Sequence, residues 1–201
     1  MVKLMNSIDN DKKSCRERIL SLRDAQSSDE ILKNSRVIFN SLISTKEYQK
    51  NTKIMFFMGK EKEVQTEFMV EEALKNGKRI FVPITNTEER KLIPCEIKSL
   101  EELVLSTFNV KEPKADCQRI VNPKDIQLII VPGVGFDIKG NRIGYGFGYY
   151  DSLLSETRQE IPFIGLAFDF QIQDEIPCED HDKYIDKIIT EKRIIECKNE
   201  N

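Results

Sequence analysis

The sequence is short of several things, and each shortage excludes a class of function. It holds one histidine, His181, with no Ser/His/Asp or Cys/His arrangement around it, so hydrolytic nucleophile chemistry has no residues to run on. Its five cysteines (Cys15, Cys95, Cys117, Cys178, Cys197) are odd in number, scattered and without a CxxC pair, and read as reduced thiols rather than a disulfide framework. Cys178 and His181 have a metal-like spacing, but two ligands do not make a zinc site. The apolar runs, Ile54 to Met58 among them, are too short to cross a bilayer, and the N-terminus has no apolar signal core. Neither sign of charge dominates: 31 basic against 34 acidic residues leave a net charge of −3, which argues against a nucleic-acid or membrane surface. A cytoplasmic protein with small-molecule partners is expected, acting as a monomer. The 201 residues, free of repeats and low-complexity linkers, read as a single domain with a short charged tail from about 197.

Glycine is scarce too, and its distribution is informative. Six of the nine glycines (Gly133, Gly135, Gly140, Gly144, Gly146, Gly148) crowd into one stretch, after the β-branched run Leu128 to Val131 and before the apolar segment at Ser152-Leu-Leu154. The order reads as buried strand, glycine-rich loop, helix. Such a loop lets a ligand approach the backbone and aims unpaired N–H groups outward, which suits phosphate. Tight turns without a ligand are the plainer reading. Tyr145, Phe147, Tyr149 and Tyr150, interleaved with the glycines, favour a site that stacks planar rings, and Arg142 adds a fork of donors matched to phosphate oxygens. Gly144-Tyr-Gly-Phe-Gly148 is neither the GxGxxG of dinucleotide folds nor a P-loop.

Hydrophobic spacing places the remaining elements. Ile8, Cys15, Ile19 and Leu22 predict an amphipathic helix ending near Gln26, with Lys12 and Arg16 one turn apart on an exposed face. Ser27 to Glu30 is a capping box opening a second helix whose inner face carries Ile31, Ser35, Ile38 and Leu42. Lys53 to Phe57 and Arg79 to Val82, the latter ending before Pro83, read as strands. They flank a helix from about Thr66, with Val70, Ala73 and Leu74 inward and Gly77 past its end, which makes a right-handed parallel crossover. Between Thr85 and Val121 only short strands or turns are suggested. Ile126 to Val131, a helix over Tyr149 to Glu160, Pro162 to Ala167, and a closing pair at Ile188 to Thr190 and Ile194-Ile195 follow. The alternation predicts an α/β fold: three layers, with a mainly parallel sheet and helices on both faces.

Pro132-Gly133, Phe136-Asp137, Gly140-Asn-Arg142 and the run Gly144 to Asp151 together resemble the signature of the 5-formyltetrahydrofolate cyclo-ligase (5,10-methenyltetrahydrofolate synthetase) family. The resemblance runs from Lys12 to Thr190. It implies a Rossmann-like sheet similar to the NagB/RpiA/CoA-transferase group, and a ligase converting 5-formyltetrahydrofolate to 5,10-methenyltetrahydrofolate with ATP as co-substrate and Mg2+ as cofactor. A non-catalytic folate- or nucleotide-binding regulator on the same scaffold is the alternative.

Carried over by position, the resemblance implies an ATP site of Lys12, Arg16, Arg142, Gly144, Tyr145, Gly146, Phe147, Gly148, Tyr149 and Tyr150. Met58, Glu63, Tyr149 and Tyr150 would face the folate, and Asp151 and Asp182 the metal. Asp151 reads equally as the N-cap of its helix, Asp182 as an exposed acid, Glu63 as one carboxylate in a charge run, and His181 as a loop hydrogen-bonder. Many family members carry a basic residue where Phe147 stands, and some another where Tyr145 stands. At roughly 1.5–3 kcal/mol for each charged hydrogen bond, that departure implies weaker nucleotide binding unless Lys139 or Lys60 compensates.

Overall fold

The computed structural model describes residues 2–157, 160–179 and 182–198, with side chains from residue 11 onward except that of residue 107. His181 and the side chain of Ile8 lie outside the described residues.

In chain order the elements are helices α1 (Val2–Asp24), α2 (Ser28–Ser44) and α3 (Lys46–Lys50), strand β1 (Lys53–Met55), helix α4 (Glu67–Lys75), and strands β2 (Arg79–Asn86), β3 (Lys91–Ile97), β4 (Leu103–Leu105), β5 (Lys111–Pro113), β6 (Leu128–Val131), β7 (Gly135–Asp137) and β8 (Arg142–Ile143). Helix α5 (Tyr149–Glu156) and strands β9 (Phe163–Leu166), β10 (Ile172–Gln173), β11 (Lys187–Ile189) and β12 (Ile194–Glu196) complete them. Seven strands form the main sheet in the order β12-β11-β9-β6-β1-β2-β3. Its five inner strands run parallel, and the edge strands β12 and β3 are antiparallel to their neighbours. A three-stranded sheet, β10-β7-β8, folds the glycine-rich segment back on itself.

Strand side chains alternate faces, and the alternation separates two layers of core. Ile54 and Phe56 pack with Ile31, Ile38 and Leu42 of α2 and Met69, Val70 and Ala73 of α4. Met55, Phe81, Ile129 and Val131 pack with Leu153 and Leu154 of α5 on the opposite face. The mainly parallel sheet with helices on both faces is thus the observed arrangement. The capping box at Ser27 and Glu30 is formed, all four expected residues of α2 are buried, and Gly77 takes φ +75° after α4.

Four expectations change. β2 does not stop at Pro83 but runs to Asn86 in an antiparallel hairpin with β3, where Pro83 faces Pro94. β1 pairs with β2 only as far as Phe81, so no partner on that side needs the N–H that Pro83 lacks, and the strand tolerates it. Helix α5 ends at Glu156, short of Glu160. Leu22 is 44% exposed, because the inward stripe of α1 is Lys12, Arg16, Ile19 and Arg23, a helical spacing that mixes cations with one apolar anchor. Lys12 and Arg16 accordingly face inward, toward a cleft, and not into open solvent.

Candidate active site

A cleft of about 940 Å³ opens beyond the carboxyl ends of β1 and β6. There β1 leads through α4 to β2 on one side, and β6 leads through α5 to β9 on the other. This reversal of strand order is where an open α/β sheet offers a crevice for ligands. Every residue carried over from the signature lines it: Lys12, Arg16, Met58, Glu63, Arg142, Gly144 through Asp151, and Asp182.

The glycine-rich segment is held from below by Asp137. Its fully buried carboxylate accepts from the backbone N–H groups of Lys139, Asn141 and Ile176 and from the Asn141 side chain, all at 2.8–2.9 Å. That clamp sets the turn that delivers Arg142. Not every glycine serves a ligand: a Cβ on Gly133 would strike the Phe136 ring at 2.4 Å, and one on Gly135 would strike Ile19 Cδ1 at 2.5 Å. Gly146 and Gly148 take φ +96° and +72° at the cleft mouth, so the loop's turn itself depends on them.

Three cations of the cleft, Arg142, Lys12 and Arg16, are engaged with its acids or its backbone. Arg142, with a side chain 6% exposed, donates from Nη2 to Asp151 Oδ1 at 2.8 Å, while its Nε is buried without a partner. Asp151 is the third residue of α5, whose cap is Gly148, so the N-cap reading of Asp151 fails. Lys12 Nζ lies 2.9 Å from Glu179 and 2.8 Å from Asp182. Burial alone would lower the Lys12 pKa, but its bonds to Asp182 and Glu179 outweigh this and hold it above the ordinary value. Arg16 Nε donates to the Gly144 carbonyl at 2.7 Å. Lys139 pairs instead with Glu175 outside the cleft, so it cannot replace a loop cation.

Glu63 is framed by the loop after β1. Thr66 Oγ1 donates to the Phe57 carbonyl at 2.6 Å and accepts from Gly59 N–H, pinning the loop's ends. A Cβ on Gly59 would meet the Val64 carbonyl oxygen at 2.2 Å, so the pinch needs glycine. Glu63 accepts from Lys60 N–H through Oε2, and from the Tyr145 hydroxyl at 2.6 Å and Arg23 Nη1 at 3.5 Å through Oε1. Burial first, then the charge and bond of Glu63, push the Tyr145 hydroxyl pKa well up, and burial does the same to Tyr150. Tyr145 therefore reaches across to the side expected to face folate.

The sequence reading missed Arg23 and Phe108. Arg23 is 7% exposed and continues the stripe of Lys12, Arg16 and Ile19, a spacing that could have revealed it. Phe108, in left-handed backbone at φ 57°, stacks on Phe147 at 5.4 Å between centroids, with Tyr149 beside both.

Fold and cleft together define an α/β protein with a crevice at the switch point of its sheet, lined by basic, acidic and aromatic side chains. The chain belongs to the 5-formyltetrahydrofolate cyclo-ligase family, whose model matches residues 8–191. It is 30% identical to the mouse 5-formyltetrahydrofolate cyclo-ligase over 92% of this chain and 96% of that one. The solution structure of Aquifex aeolicus 5,10-methenyltetrahydrofolate synthetase superposes with TM-score 0.81 at 29% identity, covering 94% of this chain and 93% of that one. A synthetase from Mycoplasma pneumoniae shares the fold at TM-score 0.73 and 24% identity, over 90% of this chain and 99% of that one. Among the described residues, no helix is long and apolar enough to cross a membrane.

Proposed function

We propose that this chain closes 5-formyltetrahydrofolate to 5,10-methenyltetrahydrofolate at the expense of ATP. The formyl oxygen attacks the γ-phosphorus and ADP leaves. The neighbouring nitrogen then attacks the activated formyl carbon and releases its proton to water, and phosphate departs with the former formyl oxygen. Neither step needs a protein nucleophile, in keeping with a chain of one histidine. Catalysis is then positioning and neutralisation of charge.

The observation that carries the reading is convergence: residues from Lys12 to Asp182, assigned from motifs far apart in the chain, line one cleft. The names of the relatives support it. Lys12 and Arg16 from α1, Arg142 from β8 and the amides of Gly144 to Tyr150 receive the triphosphate. Met58, Glu63, Tyr149 and Tyr150 take the folate, the tyrosines by stacking.

Asp151 and Asp182 suit a magnesium ion by donor chemistry. Both are hard oxygen donors on the wall of the same cleft, and the Lys183 N–H next to Asp182 lies 3.4 Å from Asp151 Oδ1. No group of three metal-ligating side chains occurs among the described residues, and magnesium bound beside phosphates commonly uses only one or two carboxylates. When bound, the ion would neutralise phosphate charge. Arg142 and Lys12 hold these two carboxylates in place.

The test is to mix purified protein with 5-formyltetrahydrofolate and Mg-ATP and to follow the methenyl chromophore. Its ATP-dependent appearance is expected. Tight folate binding with no turnover at high enzyme concentration would instead support the non-catalytic regulator.

A further inference from the structure

We propose that Lys60 and Tyr145 form one anion-binding unit, which supplies from the β1 side of the cleft the positive charge that the glycine loop lacks, and that its anion is a nucleotide phosphate. The proposal rests on the nucleotide reading of the cleft given above.

Between Arg142 and Asp151 the loop carries no lysine or arginine. The other cations already considered are committed: Lys12 to Glu179 and Asp182, Arg142 to Asp151, and the Arg16 Nε to a carbonyl. Lys60 differs. Its ammonium sits 4.5 Å from the centroid of the Tyr145 ring, and it forms no ion pair among the described residues. An aromatic face holds a cation through its quadrupole without cancelling the charge, so the full positive charge still faces the cleft.

Both members of the unit are fixed by one carboxylate. Glu63 accepts the Tyr145 hydroxyl on Oε1 and the Lys60 N–H on Oε2, while the Gln65 side chain donates to the Lys60 carbonyl at 2.8 Å. The ring is thereby oriented and the lysine backbone anchored before any ligand arrives. Nor is Lys60 needed as the counterion of Glu63, since the buried Arg23 guanidinium lies 3.5 Å from that carboxylate. What remains is a pre-oriented cation beside the glycine loop with no structural acid to neutralise.

The experiment measures dissociation constants of the full chain by calorimetry, for Mg-ATP, AMP and 5-formyltetrahydrofolate, over a range of salt concentrations. Lys60→Met should weaken Mg-ATP at least tenfold, AMP less than threefold and the folate not at all, with a shallower salt dependence for ATP. Tyr145→Leu, which removes the ring but leaves the lysine, should reproduce most of that loss, and Tyr145→Phe, which keeps the ring, should lose less. Circular dichroism checks that each variant is folded. Equal ATP affinity in wild type and Lys60→Met would overturn the proposal and leave the nucleotide reading standing. A loss confined to the folate would overturn it in favour of a substrate carboxylate. A wild-type chain that binds no ATP would remove the nucleotide reading itself and the proposal with it.

Discussion

Arg142 and Asp151, nine residues apart on either side of the glycine loop, meet in an ion pair of 2.8 Å, and Arg142 has little other contact with water or protein acids. The loop is therefore closed at its base as a ring: strand β8 gives the cation and the first turn of α5 the anion. A carboxylate in the first turn of a helix also interacts favourably with the helix dipole, which adds to the closure of the loop.

Asp151→Ala is expected to destabilise the fold by leaving a buried guanidinium unpaired. Fully buried pairs cost ~3–5 kcal/mol when broken this way. The loss here should be smaller, because the Asp151 side chain is 22% exposed. Asp151→Asn, which keeps an acceptor, should recover part of the stability without recovering methenyl formation. Thermal melts beside the turnover assay separate the two effects.

Asp137 makes a purely structural contribution that the signature hides. Replacing it with alanine leaves three backbone N–H groups and the Asn141 amide without their acceptor. At ~1–3 kcal/mol for each buried group left unsatisfied, Asp137→Ala should lower the denaturant midpoint more than any single substitution on the cleft wall. A midpoint within error of wild type would show the clamp to be dispensable.

Much of this was legible in the sequence because the carriers were local. The period of α2, the capping box at Ser27 and the β-branched run of β6 are short-range patterns, and structure followed them. The signature loop was legible because its glycines and aromatics alternate in one stretch. What escaped depends on distant pairing. The β2–β3 hairpin carries a proline in each strand, which reads locally as a break, and the conflict is removed at Pro83 because β1 stops pairing at Phe81 and leaves that side of β2 without a partner. Arg23 escaped because an arginine at a helix end reads as solvated surface. Its burial follows from Glu63 and Tyr145, which arrive from β1 and the glycine loop. Phe108 lies in the segment of weakest pattern, and its role comes from contact with Phe147.

Phe147 is 60% exposed and Phe108 45%, so their stack at the cleft rim is an open one. Phe147→Lys restores the charge that many family members carry at this position and removes the stack. Mg-ATP affinity should rise by about tenfold, near 1.4 kcal/mol and just under the ~1.5–3 of a charged hydrogen bond, because the site is open to water. Stability should change little, because both rings already face water. An unchanged ATP affinity, measured by the same titration, would show that position 147 does not face the phosphates.

Alkaline pH should loosen the fold in a way the tyrosines can report. Burial raises Tyr48 from its ordinary value of 10.0 to about 12, and it also raises Tyr145 and Tyr150, with Glu63 adding to the effect at both. Lys12 is raised as well: burial works against the shift, and the bonds to Asp182 and Glu179 outweigh it. A group whose folded pKa lies above its unfolded one keeps its proton longer in the native state. Its stabilising contribution is complete below the unfolded value and is lost as pH rises toward the folded one. Burial also raises the Cys95 and Cys197 thiols, the latter to about 12, so the unfolding free energy should begin to fall at about pH 8.5 as thiols of the unfolded chain ionise and fall further through pH 10 to 12 as its tyrosines follow. In the native protein, Tyr48, Tyr145 and Tyr150 of the five tyrosines should resist ionisation through that window, and their tyrosinate absorbance should appear only on unfolding. Tyr145→Phe should remove one of the three delayed chromophores and flatten the decline. Titration of all five tyrosines near pH 10 in the folded chain would contradict the raised hydroxyls of Tyr48, Tyr145 and Tyr150.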